Sequence, residues 1–258
     1  MLCWGQVCDE IDIFAVFAAY NRGMKKSVFA VSALLFAGIV TAVSLCISVL
    51  LSPKTVFSGA EERMRIVLDA GHGGIDGGVS GRKTGVKESD INLAIAMEVK
   101  EALADLGFEV VLTRKTEAGL YDTTAKGFKK RDMQRRKEII QEANPLLVVS
   151  VHQNFYASTS VRGAQVFYKK GDDKGKKLAT ALQSSLNGLY EKEGVKKRSP
   201  SAGQYFMVEC TDNPSVIVEC GFLSNEKDER LLSSAAWQKQ LAASLAAGIM
   251  AYLSEYTA

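Results

Sequence analysis

Hydrophobic and polar positions from residue 64 onward follow two alternating periods. Short, nearly continuous apolar runs occur at Arg65 to Ala70, Phe108 to Thr113, Leu146 to Val151, Ala164 to Tyr168, Tyr205 to Val208 and Ser215 to Glu219. Runs of this length and β-branched content predict buried strands. Between the first two, Ile91, Ile95, Val99, Ala102, Leu103 and Leu106 recur at helical spacing. Ser89 stands where a helix cap is expected, and Gly107 where the helix ends. This strand–helix–strand unit is the mark of a parallel sheet. A glycine-rich loop spans 71–85, and a loop rich in glycine, threonine and lysine spans 115–130. A charged helix is expected at Arg131 to Glu142, stopping before Asn144-Pro145. Further helices are expected at 173–193, 226–232 and 234–255. The pattern predicts a single three-layer α/β domain.

One stretch obeys neither period. Residues 27–52, SVFAVSALLFAGIVTAVSLCISVLLS, carry no charge, and a membrane-spanning helix needs about 20 such residues. Arg22, Lys25 and Lys26 stand immediately before it. They predict a cytoplasmic segment 1–26, an anchor at 27–52, a polar tether at 53–63 and an exported domain at 64–258. A cleaved signal peptide is the alternative, although its apolar core is usually about 7–15 residues. Phe57-Ser58-Gly59-Ala60 offers it a passable cleavage context. Met24-Lys25-Lys26 before an apolar run resembles the start of an exported protein, so Met24 is the expected translation start.

Composition narrows the function. The 258 residues, 47% hydrophobic, suffice for one sizeable domain and an extension. The net charge of +3 is mild, and the basic residues are dispersed without an aromatic platform, which argues against nucleic acid. The basic stretch from Lys192 to Arg198 reads as a solvated loop. The five cysteines show no Cys-x-x-Cys spacing, so no structural zinc cluster is expected. Cys210 and Cys220 lie near strand ends, with free thiols as the default expectation.

The chain has two histidines, His72 and His152, each just past an apolar strand. Ligands of open α/β sheets bind outside the carboxyl ends of strands. The pair therefore reads either as two satisfied polar side chains or as two ligands of one metal. A catalytic zinc takes three protein ligands and leaves one position open. Glu88 is the nearest third candidate, and a helix dipole alone would also explain a carboxylate there. Glu219 ends a continuous apolar strand, where it is either solvent-exposed or a buried proton acceptor.

Four segments occur in order: Asp-x-Gly-His-Gly-Gly, Lys-Glu-x-Asp-x-Asn-Leu, Ser-x-His-x-Asn and Glu-x-Gly-Phe-Leu-Ser-Asn. Together, over residues 64–256, they resemble the zinc-dependent N-acetylmuramoyl-L-alanine amidases of bacterial cell walls. The resemblance implies a mostly parallel twisted sheet of about six strands with helices on both faces. It implies one zinc ion bound by His72, Glu88 and His152, with Glu219 as general base and acid. Asp76, Asn92, Asn154 and Asn225 match family positions and are assigned supporting roles. Ala70 replaces a common proline, and Cys220 replaces an aliphatic residue. Alternation along the strand points Cys220 away from Glu219, leaving oxidation sensitivity as its expected consequence.

The implied substrate is peptidoglycan, cut between the lactyl group of muramic acid and L-alanine of the stem peptide. Substrate access is expected to depend on the membrane tether or on an accessory partner protein. The segments Gly127 to Asp132 and Ser160 to Tyr168 resemble the membrane-anchored spore-cortex amidases, whose peptide-free muramic acid is later cyclised to the lactam. A zinc peptidase acting within the stem peptide would use the same constellation, and a silent wall-binding domain would keep only the fold. Iron also fits two histidines and a carboxylate.

Overall fold

The computed structural model describes residues 64–256. Strands β1 (Arg65–Ala70), β2 (Glu109–Leu112), β3 (Leu147–Asn154), β4 (Gln165–Lys169), β5 (Ser201–Gly203) and β6 (Ser215–Phe222) form one sheet, ordered β2-β1-β3-β6-β4-β5. Every pairing is parallel except β4 with β6. The helices are α1 (Glu88–Asp105), α2 (Phe128–Ala143), α3 (Asp173–Glu191), α4 (Phe206–Glu209), α5 (Glu226–Leu232) and α6 (Ala235–Tyr256).

Alternation along the strands divides the core in two. Ile66, Leu68, Val149, Val151, Val216 and Val218 face α1, α3 and α6 through Ile95, Val99, Leu182, Leu186, Leu245 and Ile249. On the opposite face, Val67, Val148 and Ile217 pack with Ile140 of α2 and with Met207 and Val208 of α4. Helices thus cover both faces, which explains why the strands are apolar without a polar alternate. The single three-layer α/β domain expected from the pattern is present, with six strands.

Several local expectations give way to tertiary contacts. Ser89 is not the cap of α1: the N-cap is Lys87, two residues earlier, with no side-chain cap bond. Loop carbonyls take over that role, because Glu88 N donates to Val79 O and Ser89 N to Gly77 O. Tyr205 to Val208 forms no strand; the last three open the one-turn α4, and the edge strand is β5 instead. Their β-prone composition reflects burial rather than backbone preference. Helix α2 starts at Phe128, three residues before the expected position, after Gly127 in the left-handed region (φ 87°).

Strands β3 and β6 also continue beyond their expected ends, so His152 lies within its strand rather than past it, and Glu219 lies inside its strand rather than at the end. They are register partners, and the register shifts before the Asn154–Phe222 pair. Among the described residues, no helix is long and apolar enough to cross a membrane. The expected anchor at 27–52, the tether at 53–63 and the start at Met24 lie outside the described residues.

Candidate metal centre

His72 leaves β1 with its own backbone in the left-handed region (φ 62°), an uncommon conformation for a residue with a Cβ. Two buried guanidinium groups hold this turn. Arg136 donates to the carbonyls of Ala70 and His72, at 2.8 and 2.6 Å. Arg114 donates to those of Ala70 and Gly71, at 2.8 and 2.9 Å. Tyr121 latches the turn from outside, accepting from Ile75 N and donating to Gly73 O. The turn projects the His72 ring toward Glu88, the first residue of α1.

Glu88 Oε1 lies 3.3 Å from His72 Nε2 and 2.9 Å from His152 Nδ1. One donor atom from each of the three residues falls within 4.8 Å of the others. The two imidazoles meet edge to face, with centroids 5.0 Å apart. Gly71 makes this approach possible, since a Cβ there would overlap the His152 ring. Burial opposes ionisation of Glu88, but hydrogen bonds with His152 and His72 hold its carboxyl well below the usual range. The His72 imidazolium is favoured despite burial by the same Glu88 contact and by Asp76. Two imidazole nitrogens and a carboxylate oxygen converging on one point form a set that can hold a metal ion.

Supporting contacts are mixed. Asp76 Oδ2 lies 3.1 Å from His72 Nδ1, which fixes the tautomer that presents Nε2. Lys129 Nζ in turn lies 3.1 Å from Asp76 Oδ1. Asn92 Nδ2 donates to Gly71 O and to Glu88 Oε1. Asn154 and Asn225 do not join the cluster. The Asn154 side chain accepts from Phe155 N, and Asn225 caps α5 by accepting from Lys227 N and Asp228 N.

Glu219 enters from β6 beside His152. Burial raises its carboxyl to about 7, with the Glu88 charge adding and the two histidines opposing. Its Oε2 is buried without a hydrogen-bond partner, a costly arrangement for a residue with no task.

The pattern of the chain did not single out the charged network beneath His72. Asp69, in β1, accepts from Thr113, Ser150 and Arg136 at 2.6–2.7 Å. Burial alone would raise its carboxyl, but Arg136 and the two hydroxyls hold it well below the usual range. Arg136 also pairs with Asp132 one helical turn earlier, at 2.6 Å. A carboxylate inside the apolar run of β1 was the available signal. Nothing in the charged α2 segment distinguished Arg136 from its exposed neighbours.

Cys210 and Cys220 are both free and buried, and they sit in the two separate cores. Cys220 thus occupies the face opposite Glu219, as alternation requires. Burial pushes its thiol far above the usual value, so the expected oxidation sensitivity meets a shielded, protonated sulfur.

A family model described as N-acetylmuramoyl-L-alanine amidase matches residues 66–251. The germination-specific N-acetylmuramoyl-L-alanine amidase of Bacillus subtilis is 34% identical over 193 residues, covering 74% of this chain and 80% of the relative. The amidase AmiA of Escherichia coli is 29% identical over 244 residues, covering 78% and 79%. Among solved structures, the CwlD amidase of Clostridioides difficile, in complex with the GerS lipoprotein, superposes with a TM-score of 0.71 at 35% identity. That match covers 75% of this chain and 100% of the solved one.

Proposed function

This chain belongs to the N-acetylmuramoyl-L-alanine amidase family, and from that premise we propose that it works with one zinc ion held by His72, Glu88 and His152, Glu219 moving the protons. The bond cleaved is the amide between the lactyl group of muramic acid and L-alanine of the stem peptide. The observation that carries the metal reading is the single Glu88 oxygen within reach of one nitrogen from each histidine. When bound, a divalent cation supplies Lewis acidity, polarising an amide carbonyl and making water more acidic.

Glu219 fits the proton-transfer role because its raised pKa of about 7 lies near a neutral operating pH. Its unpartnered Oε2 is free to take a proton from water and return it to the departing alanine nitrogen. Asp76 keeps the Nδ1 proton on His72, and Asn92 holds the Glu88 carboxylate in line.

Digestion of purified peptidoglycan by the full chain is expected to release stem peptides that begin with free L-alanine, identified by mass spectrometry. Shortened peptides would instead indicate cleavage within the stem. Chelation is expected to remove one zinc per chain and end release, and stoichiometric zinc to restore both. Zinc at about a hundred times its dissociation constant should stabilise the protein by roughly 2.7 kcal/mol, raising Tm by about 5–10 °C for a domain of this size. His152→Ala should abolish that shift. Retention of zinc and of the thermal shift by His152→Ala would refute the ligand set.

The uncharged segment 27–52 behind Arg22, Lys25 and Lys26 supports a single-pass anchor with the catalytic domain outside the cytoplasm, where peptidoglycan lies. The likeness to a germination-specific amidase supports a place in spore-cortex maturation, on the path to muramic lactam. A deletion strain is then expected to form cortex without muramic lactam, and normal lactam content would rule that role out. CwlD was solved with a lipoprotein partner, which supports an accessory docking protein for this chain as well.

A further inference from the structure

Two buried carboxamides, Asn92 on α1 and Gln153 on β3, adjoin Glu88. Gln153 lies two residues after Val151, so its side chain enters the larger, apolar core. There its Nε2 donates to Asn92 Oδ1 at 3.1 Å, and its Oε1 has no hydrogen-bond partner. An unpaired buried acceptor destabilises a fold, so an apolar side chain would serve packing better. The direction of the hydrogen bonds around Asn92 is determined. Gly71 O and the ionised Glu88 Oε1 can only accept, so Asn92 presents Nδ2 to both, at 3.1 and 3.3 Å. Asn92 Oδ1 then faces Gln153, which answers with its own Nε2. The backbone ties Glu88 as well: Gln153 N donates to Oε1 at 3.1 Å and Val79 N to Oε2 at 2.9 Å.

Resting on the zinc reading, we infer that Gln153 is a positioning residue for the metal centre: its carboxamide fixes the orientation of Asn92, and Asn92 holds Glu88 Oε1 toward His72 and His152. Donors that orient a ligating carboxylate raise metal affinity without touching the metal. Strand β3 thus supplies a ligand on one face, His152, and the support of another ligand on the other face, through the next residue. Without the Gln153 amide, Asn92 Oδ1 is left buried and unpaired. The Asn92 amide is then free to turn and to offer Glu88 an oxygen in place of an N–H. The unpaired Gln153 Oε1 is the cost of carrying an amide at this place in the core.

Zinc affinity of the full chain, measured by competition with a chromogenic chelator, tests this. Gln153→Met keeps an unbranched side chain of similar length but removes the donor. It is expected to weaken zinc binding about tenfold to a hundredfold, with the unfolding midpoint of the metal-free protein close to that of the wild type. Asn92→Ala is expected to lose at least as much affinity, and adding Gln153→Met to it should cost nothing further. With cobalt in place of zinc, the visible absorption should differ between Gln153→Met and the wild type, because it follows the arrangement of the donors. Gln153→Leu takes the place of the methionine variant if that one does not fold. Equal zinc affinities for the wild type and the Gln153 variant overturn the inference. Losses that add in the double variant also overturn it, since Gln153 would then act without Asn92. A wild type that binds no zinc overturns the zinc reading and this inference with it, a result distinct from equal affinities, which remove only the role of Gln153.

Discussion

Glu219→Gln is expected to lower amide hydrolysis by roughly a hundredfold to ten-thousandfold, the usual scale for removing a general acid–base group. The loss should fall equally on kcat and kcat/KM, because proton transfer belongs to the transition state rather than to binding. Zinc content should stay at one per chain, since Glu219 is outside the three-donor cluster. The same substitution should stabilise the metal-free protein. Burial lifts the Glu219 carboxyl from 4.5 to about 7, so the folded state holds its proton more tightly than the unfolded chain does. That contribution is fully present below about pH 4 and is lost as the pH rises through 7. It amounts to about 3 kcal/mol, since each tenfold change in proton affinity is worth about 1.4 kcal/mol. The stability of the metal-free wild type to urea should decline more steeply between pH 4.5 and 7.5 than that of Glu219→Gln, which keeps only the contribution of the His72 imidazolium. A loss of activity below tenfold, or parallel pH profiles for the two proteins, would remove Glu219 from its role.

Arg136→Met is expected to destabilise the domain by about 3–5 kcal/mol, the range found when one partner of a buried ion pair is removed. The Arg136 side chain is 1% exposed and holds Asp69 and Asp132, each at 2.6 Å. Methionine fills much of its volume but leaves Asp69 buried with hydroxyl partners alone and the His72 carbonyl without this donor. The midpoint of thermal unfolding should fall by roughly 6–20 °C. Zinc affinity should also fall, because the left-handed His72 turn loses its brace. Adding Asp69→Asn to Arg136→Met should recover part of the loss, since it removes the stranded charge. A change below about 1 kcal/mol would mean that water reaches Asp69 and that the network carries little of the site's rigidity.

These two residues differ in how visible they were along the chain. Glu219 ends a run of three apolar residues, which left it either exposed at a strand end or buried as a proton acceptor, and the structure buries it. Arg136 sits among charged residues on a helix whose pattern gave no hint that one arginine turns inward. The helix α4 misled for a related reason: Tyr205 to Val208 has strand composition, but its packing against Ile217 and Ile140 rather than ladder pairing decided its shape. Ser89 misled because loop carbonyls bonded the first amides of α1, leaving its hydroxyl no capping task. Asn154 and Asn225, expected in supporting roles, make local strand-end and helix-cap contacts.

What the amino-acid sequence determined by itself is whatever depends on neighbours a few positions away. The period of apolar residues specified most strands and helices and the faces they bury, and the two histidines with Glu88 and Glu219 offered candidate metal donors and a candidate proton acceptor. The tertiary structure decided how these meet. Parallel pairing of β1, β3 and β6 brings His72, His152 and Glu219 together toward the carboxyl ends of the central strands, and Arg136 reaches across from α2 to brace the turn. Such contacts depend on the sum of packing over the whole domain, and no local pattern encodes a sum taken over distant parts of the chain.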